Sequence, residues 1–122
     1  MNTKIVKMIY NPVAGQRHYR RFSKIVKLLK ANFKKLEILE TNGKGHAIAL
    51  AQGLKKNIDL LLIAGGDGTI NEVLNGIKNK KIVIGIIPIG TANVFANELG
   101  IPKKPNHLIT TLMQGKIEQL SI

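Results

Sequence analysis

At 122 residues the chain has the length of one domain, enough to bury roughly two thirds of its unfolded surface. It has no Cys, which excludes a disulfide framework, a thiolate zinc site and a Cys nucleophile, and its 44% hydrophobic content excludes a wholly disordered chain. The formal net charge is +12, and the first 36 residues hold ten basic side chains and no acid, a surface suited to phosphates, nucleic acid or an anionic membrane.

No apolar run approaches the ~20 residues needed to span a bilayer. Residues 1–10 mix charge with apolar side chains and lack the uninterrupted core of a signal peptide. The expected location is cytoplasmic, with a peripheral position at the inner face of the membrane. The chain has only two Tyr, three Phe and no Trp. That is thin for a single-strand binder, which needs aromatic faces for bases to stack on, so no nucleic-acid partner is expected.

The apolar segments alternate between two lengths. Lys4-Ile5-Val6-Lys7-Met8-Ile9-Tyr10 is β-prone and ends at Asn11-Pro12. Residues 20–35 follow, with Phe22, Ile25, Val26, Leu29 and Phe33 on a helical stripe. Arg21, Lys24, Lys27 and Lys34 lie off that stripe, as a solvated basic face without large apolar side chains. Residues 36–40 are a short strand, and residues 45–55 a helix through His46-Ala47-Ile48-Ala49-Leu50-Ala51.

Leu60-Leu61-Leu62-Ile63-Ala64 reads as a strand buried on both faces, as in parallel sheets. A helix over residues 69–78 places Ile70, Val73, Leu74 and Ile77 on one side. Residues 82–87 are a second buried strand, stopped by Pro88. Helices at 91–99 and 107–113 and a last strand at 116–120 complete the pattern. Strand and helix in alternation predict an α/β fold: a three-layer, mostly parallel open sheet with helices on both faces, Rossmann-like.

In such sheets ligands bind outside the carboxyl ends of the strands. The segments expected there are Asn11-Pro12-Val13-Ala14-Gly15, Thr41-Asn42-Gly43, Gly65-Gly66-Asp67-Gly68-Thr69-Ile70-Asn71 and Pro88-Ile89-Gly90-Thr91-Ala92-Asn93. The third is the most informative. Its glycines permit positive φ and close approach to a ligand. A helix starting near Thr69 would turn its unpaired N–H groups toward phosphate oxygens. Asp67 in that loop suits contact with Mg²⁺, a ribose hydroxyl or a hydroxyl awaiting deprotonation; the plainer reading is a tight turn in which Asp67 caps the helix. Neither a Walker A run nor the dinucleotide fingerprint is present, since Asn71 stands where the third Gly would be. Gly43-Lys44-Gly45 carries little weight as a G-x-G fragment. His18, His46 and His107 share no metal-ligand spacing; His46, near the Thr41 segment, reads as a helix-start or packing residue, with a nucleotide contact as the alternative. Glu72 reads equally as a support for the site or as a helix-surface residue.

Gly65-Gly66-Asp67-Gly68-Thr69-Ile70-Asn71-Glu72-Val73 resembles the signature of the diacylglycerol kinase catalytic family, which includes bacterial lipid kinases and sphingosine kinases. Asn11 to Gly15 resembles the family's first motif, Thr41 with Gly45-His46-Ala47 its second, and Pro88 to Ala96 its fourth. The Gly65-to-Thr69 core alone would be shared with NAD kinases and phosphofructokinases. The resemblance implies that ATP lies across these loops, with Asn11, Pro12, Val13, Ala14, Gly15, Thr41 and Thr91 lining the nucleotide site. Gly65, Gly66, Asp67, Gly68, Thr69, Ile70 and Asn71 would cradle the phosphates. Asp67 aligns with an acid assigned as proton acceptor in sphingosine kinases. In bacterial relatives the general base and the acids that organise Mg²⁺, the implied cofactor, lie further along, in a mostly β second lobe.

The family chain continues well beyond the equivalent of Ile122, so residues 1–122 resemble only the N-terminal, nucleotide-binding lobe, either as a piece of a longer protein or as a naturally short one. The implied activity is transfer of the ATP γ-phosphate to a lipid hydroxyl, that of diacylglycerol, at a membrane surface, with little turnover by these residues alone. The alternatives are a non-catalytic nucleotide-binding module and a kinase for a sphingoid base or NAD. The oligomeric state stays open.

Overall fold

The computed structural model describes residues 2–15, 19–55, 57–78, 80–88 and 118–119. Strand β1 (Asn2–Tyr10) leads through a single-turn helix α1 (Pro12–Gly15) to helix α2 (Tyr19–Asn32) and strand β2 (Phe33–Glu40). Helix α3 (His46–Gln52), strand β3 (Leu60–Gly65), helix α4 (Asp67–Gly76) and strand β4 (Val83–Pro88) follow, and β5 (Glu118–Gln119) is a two-residue strand. The sheet order is β2-β1-β3-β4-β5, with the first four strands parallel and β5 antiparallel to β4. The expected helices at 91–99 and 107–113 lie outside the described residues.

Period-two alternation of side chains divides β1 between the two faces of the sheet. Val6, Met8 and Tyr10 join Leu60, Leu62 and Ala64 of β3 beneath the α2 stripe of Phe22, Ile25 and Leu29. Ile9 joins Leu61, Ile63, Ile84 and Ile86 on the other face, against α3 and α4. All six residues of β3 are buried, as expected of a strand covered on both sides.

Several boundaries differ from the sequence expectation: α3 stops at Gln52, short of residue 55, and β4 includes Pro88 instead of being stopped by it, and two further differences have a visible cause. Phe33 opens β2 instead of closing the helix, although its ring reaches the same core as Ile25 and Leu29. The helix ends at Asn32, whose Nδ2 donates to the Leu28 carbonyl (2.7 Å) and satisfies one of the terminal acceptors. Helix α4 begins at Asp67, two residues early, with Gly66 as its N-cap.

Remote from the carboxyl ends, Lys80 closes the C-terminus of α3. Its Nζ donates to the carbonyls of Ala51 (3.2 Å), Gln52 (2.7 Å) and Leu54 (3.2 Å), placing a cation at the negative end of that helix. Helices α3 and α4 cross closely at Gly76, where an added Cβ would lie 2.5 Å from Ala51 Cβ and 2.7 Å from the Ile48 carbonyl oxygen. Gly76→Ala should therefore destabilise by about 1–2 kcal/mol, because overpacking against backbone outweighs the better helix propensity of Ala. A urea midpoint that rises would contradict this close crossing.

Tyr10 stacks on Phe22 with centroids 4.0 Å apart and planes at 13°. Burial, then the nearby Glu40 and Tyr19, raises the Tyr10 phenol above its ordinary value of 10.0. The folded state thus resists ionisation that the unfolded chain accepts, so this contribution is present below pH 10 and is lost as pH rises through the folded value. Urea titrations between pH 8 and 11 should show a loss of stability above pH 10 that is smaller in Tyr10→Phe; equal losses in both proteins would contradict the assignment.

Candidate functional site

The strand order reverses between β1 and β3: the chain moves from β1 outward to β2, then returns to lay β3 on the other side of β1. Such a switch point leaves a crevice at the carboxyl ends of the two central strands. Asn11, immediately after β1, spans it. Its backbone N–H donates to the Ala64 carbonyl of β3 (2.9 Å), and its side-chain Nδ2 donates to Thr69 Oγ1 of α4 (3.1 Å). Its Oδ1 accepts the Val13 N–H (3.0 Å), which starts α1.

A cavity of about 500 Å³ opens here, lined by Asn11, Pro12, Val13, Thr41, Asn42, Gly43, Lys44, Ala47, Gly68, Thr69 and Glu72. Three of the four expected segments meet in it. Thr41 is held by its N–H to the Tyr10 carbonyl (2.8 Å) and is buried. Thr69 is likewise buried, with its hydroxyl toward Asn11. The fourth segment is described only to Pro88, and Thr91 lies outside the described residues.

The glycines of the third segment act differently from the expectation. Among the described residues positive φ occurs at Gly43 (156°) and Gly45 (85°), in the second segment. Gly66 is extended at φ −88°. Gly65 instead permits close packing, since a Cβ there would lie 2.7 Å from Thr69 Cβ. A Cβ on Gly68 would meet nothing within 4 Å, so its backbone is open to the cavity. Gly68 and Thr69 belong to the first turn of α4, where N–H groups have no intrahelical acceptor and the helix dipole is positive.

The remaining expected residues are spread around this centre. Asp67 is half-buried in the first turn of α4, beside the cavity lining and not in it. It is not the cap, which is Gly66, and an acid there complements the dipole. Ile70 is fully buried in the core under α4, with its N–H on the Gly66 carbonyl (3.1 Å), so its side chain faces away from the cavity. Asn71 is exposed on α4 and outside the lining. Ala14 and Gly15 complete α1.

Lys44 was not among the expected site residues; Asn42 and Gly43 belong to an expected segment, and Glu72, left open between a supporting and a surface role, lines the cavity with them. Glu72 Oε1 accepts the Gly45 N–H (3.0 Å), and His46 Nδ1 accepts the Asn42 N–H (2.9 Å). Both ends of the turn that carries Lys44 are thereby fixed, and His46 takes the helix-start role. A Gly-Lys-Gly turn carries no signal as a motif; only the left-handed Gly45 and the fold show where it points.

A second cavity of about 420 Å³ lies at the opposite end of the sheet, beside Ile5, Leu50, Leu54 and Ile58. Its Lys7 is already paired with Glu37 at 2.6 Å. Volume does not separate the two cavities, but chemistry does: the first gathers amide, hydroxyl and backbone donors with a lysine, a set suited to phosphate oxygens. Among the described residues no three His, Cys, Asp or Glu side chains converge as a metal cage.

Residues 6–122 match the diacylglycerol kinase catalytic domain. The chain belongs to that family. A diacylglycerol kinase of Staphylococcus saprophyticus is 37% identical over 98% of this chain and 40% of its own length, and that of Staphylococcus carnosus is 32% identical over the same shares. A solved diacylglycerol kinase structure from Bacillus anthracis superposes with a TM-score of 0.82 at 34% identity, covering 94% of this chain and 41% of that one. The chain thus spans about two fifths of the relatives it matches. The expected α/β architecture and family agree with these findings.

Replacing Thr69 by Val removes the acceptor of the Asn11 amide and leaves its packing volume. It should cost about 1 kcal/mol of stability, and a urea midpoint equal to that of the parent protein would contradict the Asn11–Thr69 bridge.

Proposed function

We propose that the first cavity holds the phosphates of ATP, and that the chain is the nucleotide-binding lobe of a lipid kinase that transfers the γ-phosphate to the hydroxyl of diacylglycerol. The observation that carries this reading is the meeting of Asn11, Thr41 and the open backbone of Gly68 around one donor-rich cavity at the switch point. The naming of its relatives as diacylglycerol kinases supports the lipid acceptor.

Phosphoryl transfer asks a protein mainly to position groups and offset charge. Asn11 and the first turn of α4 supply fixed donors toward phosphate oxygens, and Thr41 and Val13 shape the wall. The residues present suit a triphosphate carrying Mg²⁺, since that ion needs few protein carboxylates when phosphates and water complete its shell. Asp67 stands at the edge of this site as the proton acceptor for the lipid hydroxyl. The rest of the acceptor site and the metal-organising acids belong to a second lobe beyond residue 122, so residues 1–122 alone bind ATP weakly and turn over little.

The basic face of α2 suits a membrane-borne substrate. Arg20, Lys24, Lys27 and Lys30 are exposed, and each contributes about 1 kcal/mol beside an anionic bilayer. In contrast to the sequence expectation, this helix also exposes a large side chain, Tyr19, at 67%. No helix among the described residues is long and apolar enough to cross a membrane, and the contact proposed here is peripheral, at the inner face. Sedimentation with anionic vesicles should fall steeply between low and physiological salt; salt-independent binding would contradict an electrostatic contact.

Gly68→Ala separates folding from nucleotide binding because the two should move in opposite directions. A methyl group there meets no protein atom, and Ala is the better helix former by about 1 kcal/mol, so the melting temperature should hold or rise. The same methyl group blocks approach to the α4 first turn, and ATP affinity by calorimetry should fall about tenfold, or ~1.4 kcal/mol. Unchanged affinity would refute phosphate binding at this turn.

A further inference from the structure

We infer that Lys44 is a phosphate-binding residue of this cavity and that Glu72 is the positioning residue that aims it, which deepens and rests on the proposed nucleotide site. Lys44 lines the cavity across from Gly68 and Thr69. It sits between Gly43 and Gly45, both at positive φ, in a turn that would be free to swing without anchors. Glu72 is the anchor from α4: its Oε1 takes the Gly45 N–H at 3.0 Å. The same helix therefore presents its first-turn donors to the cavity and, one turn later, fixes the turn that carries Lys44. Two walls whose spacing is set by one rigid element are suited to an anion of fixed size.

Glu72 is an odd neighbour for a phosphate, because its charge repels one. Its use is explained by the hydrogen bond: the carboxylate is engaged by the turn's N–H, and the turn returns a positive charge to the cavity. A general property follows. The acid should matter only through the lysine, and a neutral acceptor should replace it.

A double-mutant cycle on the full-length protein tests this, with ATP and adenosine titrated by calorimetry and melting curves recorded for each variant. Lys44→Met should weaken ATP about tenfold and leave adenosine within about twofold. Glu72→Ala should weaken ATP about fivefold in the parent protein and less than about twofold in Lys44→Met, since coupled residues are not additive. Glu72→Gln, whose Oε1 accepts the same N–H, should stay within about twofold of the parent. Equal losses from Glu72→Ala in both backgrounds, a Gln variant as weak as the Ala variant, or tighter ATP binding by Glu72→Ala would each overturn the inference. So would equal losses of ATP and adenosine in Lys44→Met. A parent protein that binds no ATP would instead overturn the nucleotide reading itself.

Discussion

Three hydrogen bonds of Asn11 hold the rim of the sheet together. Its N–H ties the end of β1 to Ala64 of β3, its Nδ2 reaches Thr69 of α4, and its Oδ1 starts α1 at Val13. A side chain with both a donor and an acceptor group is needed for this, and neither an ionised Asp nor a Leu of similar size supplies both. Around that bridge Gly65 lets Thr69 approach the end of β3, which no larger residue would permit. The first turn of α4 is thereby pressed against the switch point, and the cavity is what remains between that turn and the Thr41–Lys44 segment.

Rigidity behind the rim comes from ordinary burial. The β3 run of Leu60 to Ala64 is inaccessible on both faces, with α2 packed on one side and α3 with α4 on the other. Burying a Leu or Ile side chain is worth about 1.5–3 kcal/mol, so these layers far outweigh any single bond at the rim. The polar edge can accordingly be built from short, specific contacts without having to hold the fold together.

The strands and three of the four carboxyl-end segments were legible in the sequence because hydrophobic runs such as Leu60 to Ala64 and Ile82 to Ile87 suit buried strands at that length. The end of α2 was not. Phe33 continues the helical stripe by its spacing, and its ring enters the same core from a strand, so periodicity alone cannot tell the two apart. The start of α4 was misplaced because glycines were read as loop residues, whereas Gly65 ends a strand, Gly66 caps and Gly68 is helical. Lys44 was the largest omission among the site residues, and the role of Glu72 stayed open between support and surface. The bond from the Gly45 N–H to Glu72 spans 27 positions, and nothing local in Gly43-Lys44-Gly45 says that an acid from another helix fixes the turn.

The most direct measurement is a backbone amide map of the protein titrated with a non-hydrolysable ATP analogue. Shifts concentrated at residues 11, 13, 41–45 and 67–69 are predicted, and the amides around Ile5, Gly53 and Ile58 at the opposite cavity should not move. Shifts centred on that second cavity, or none along the α4 first turn, would contradict the account.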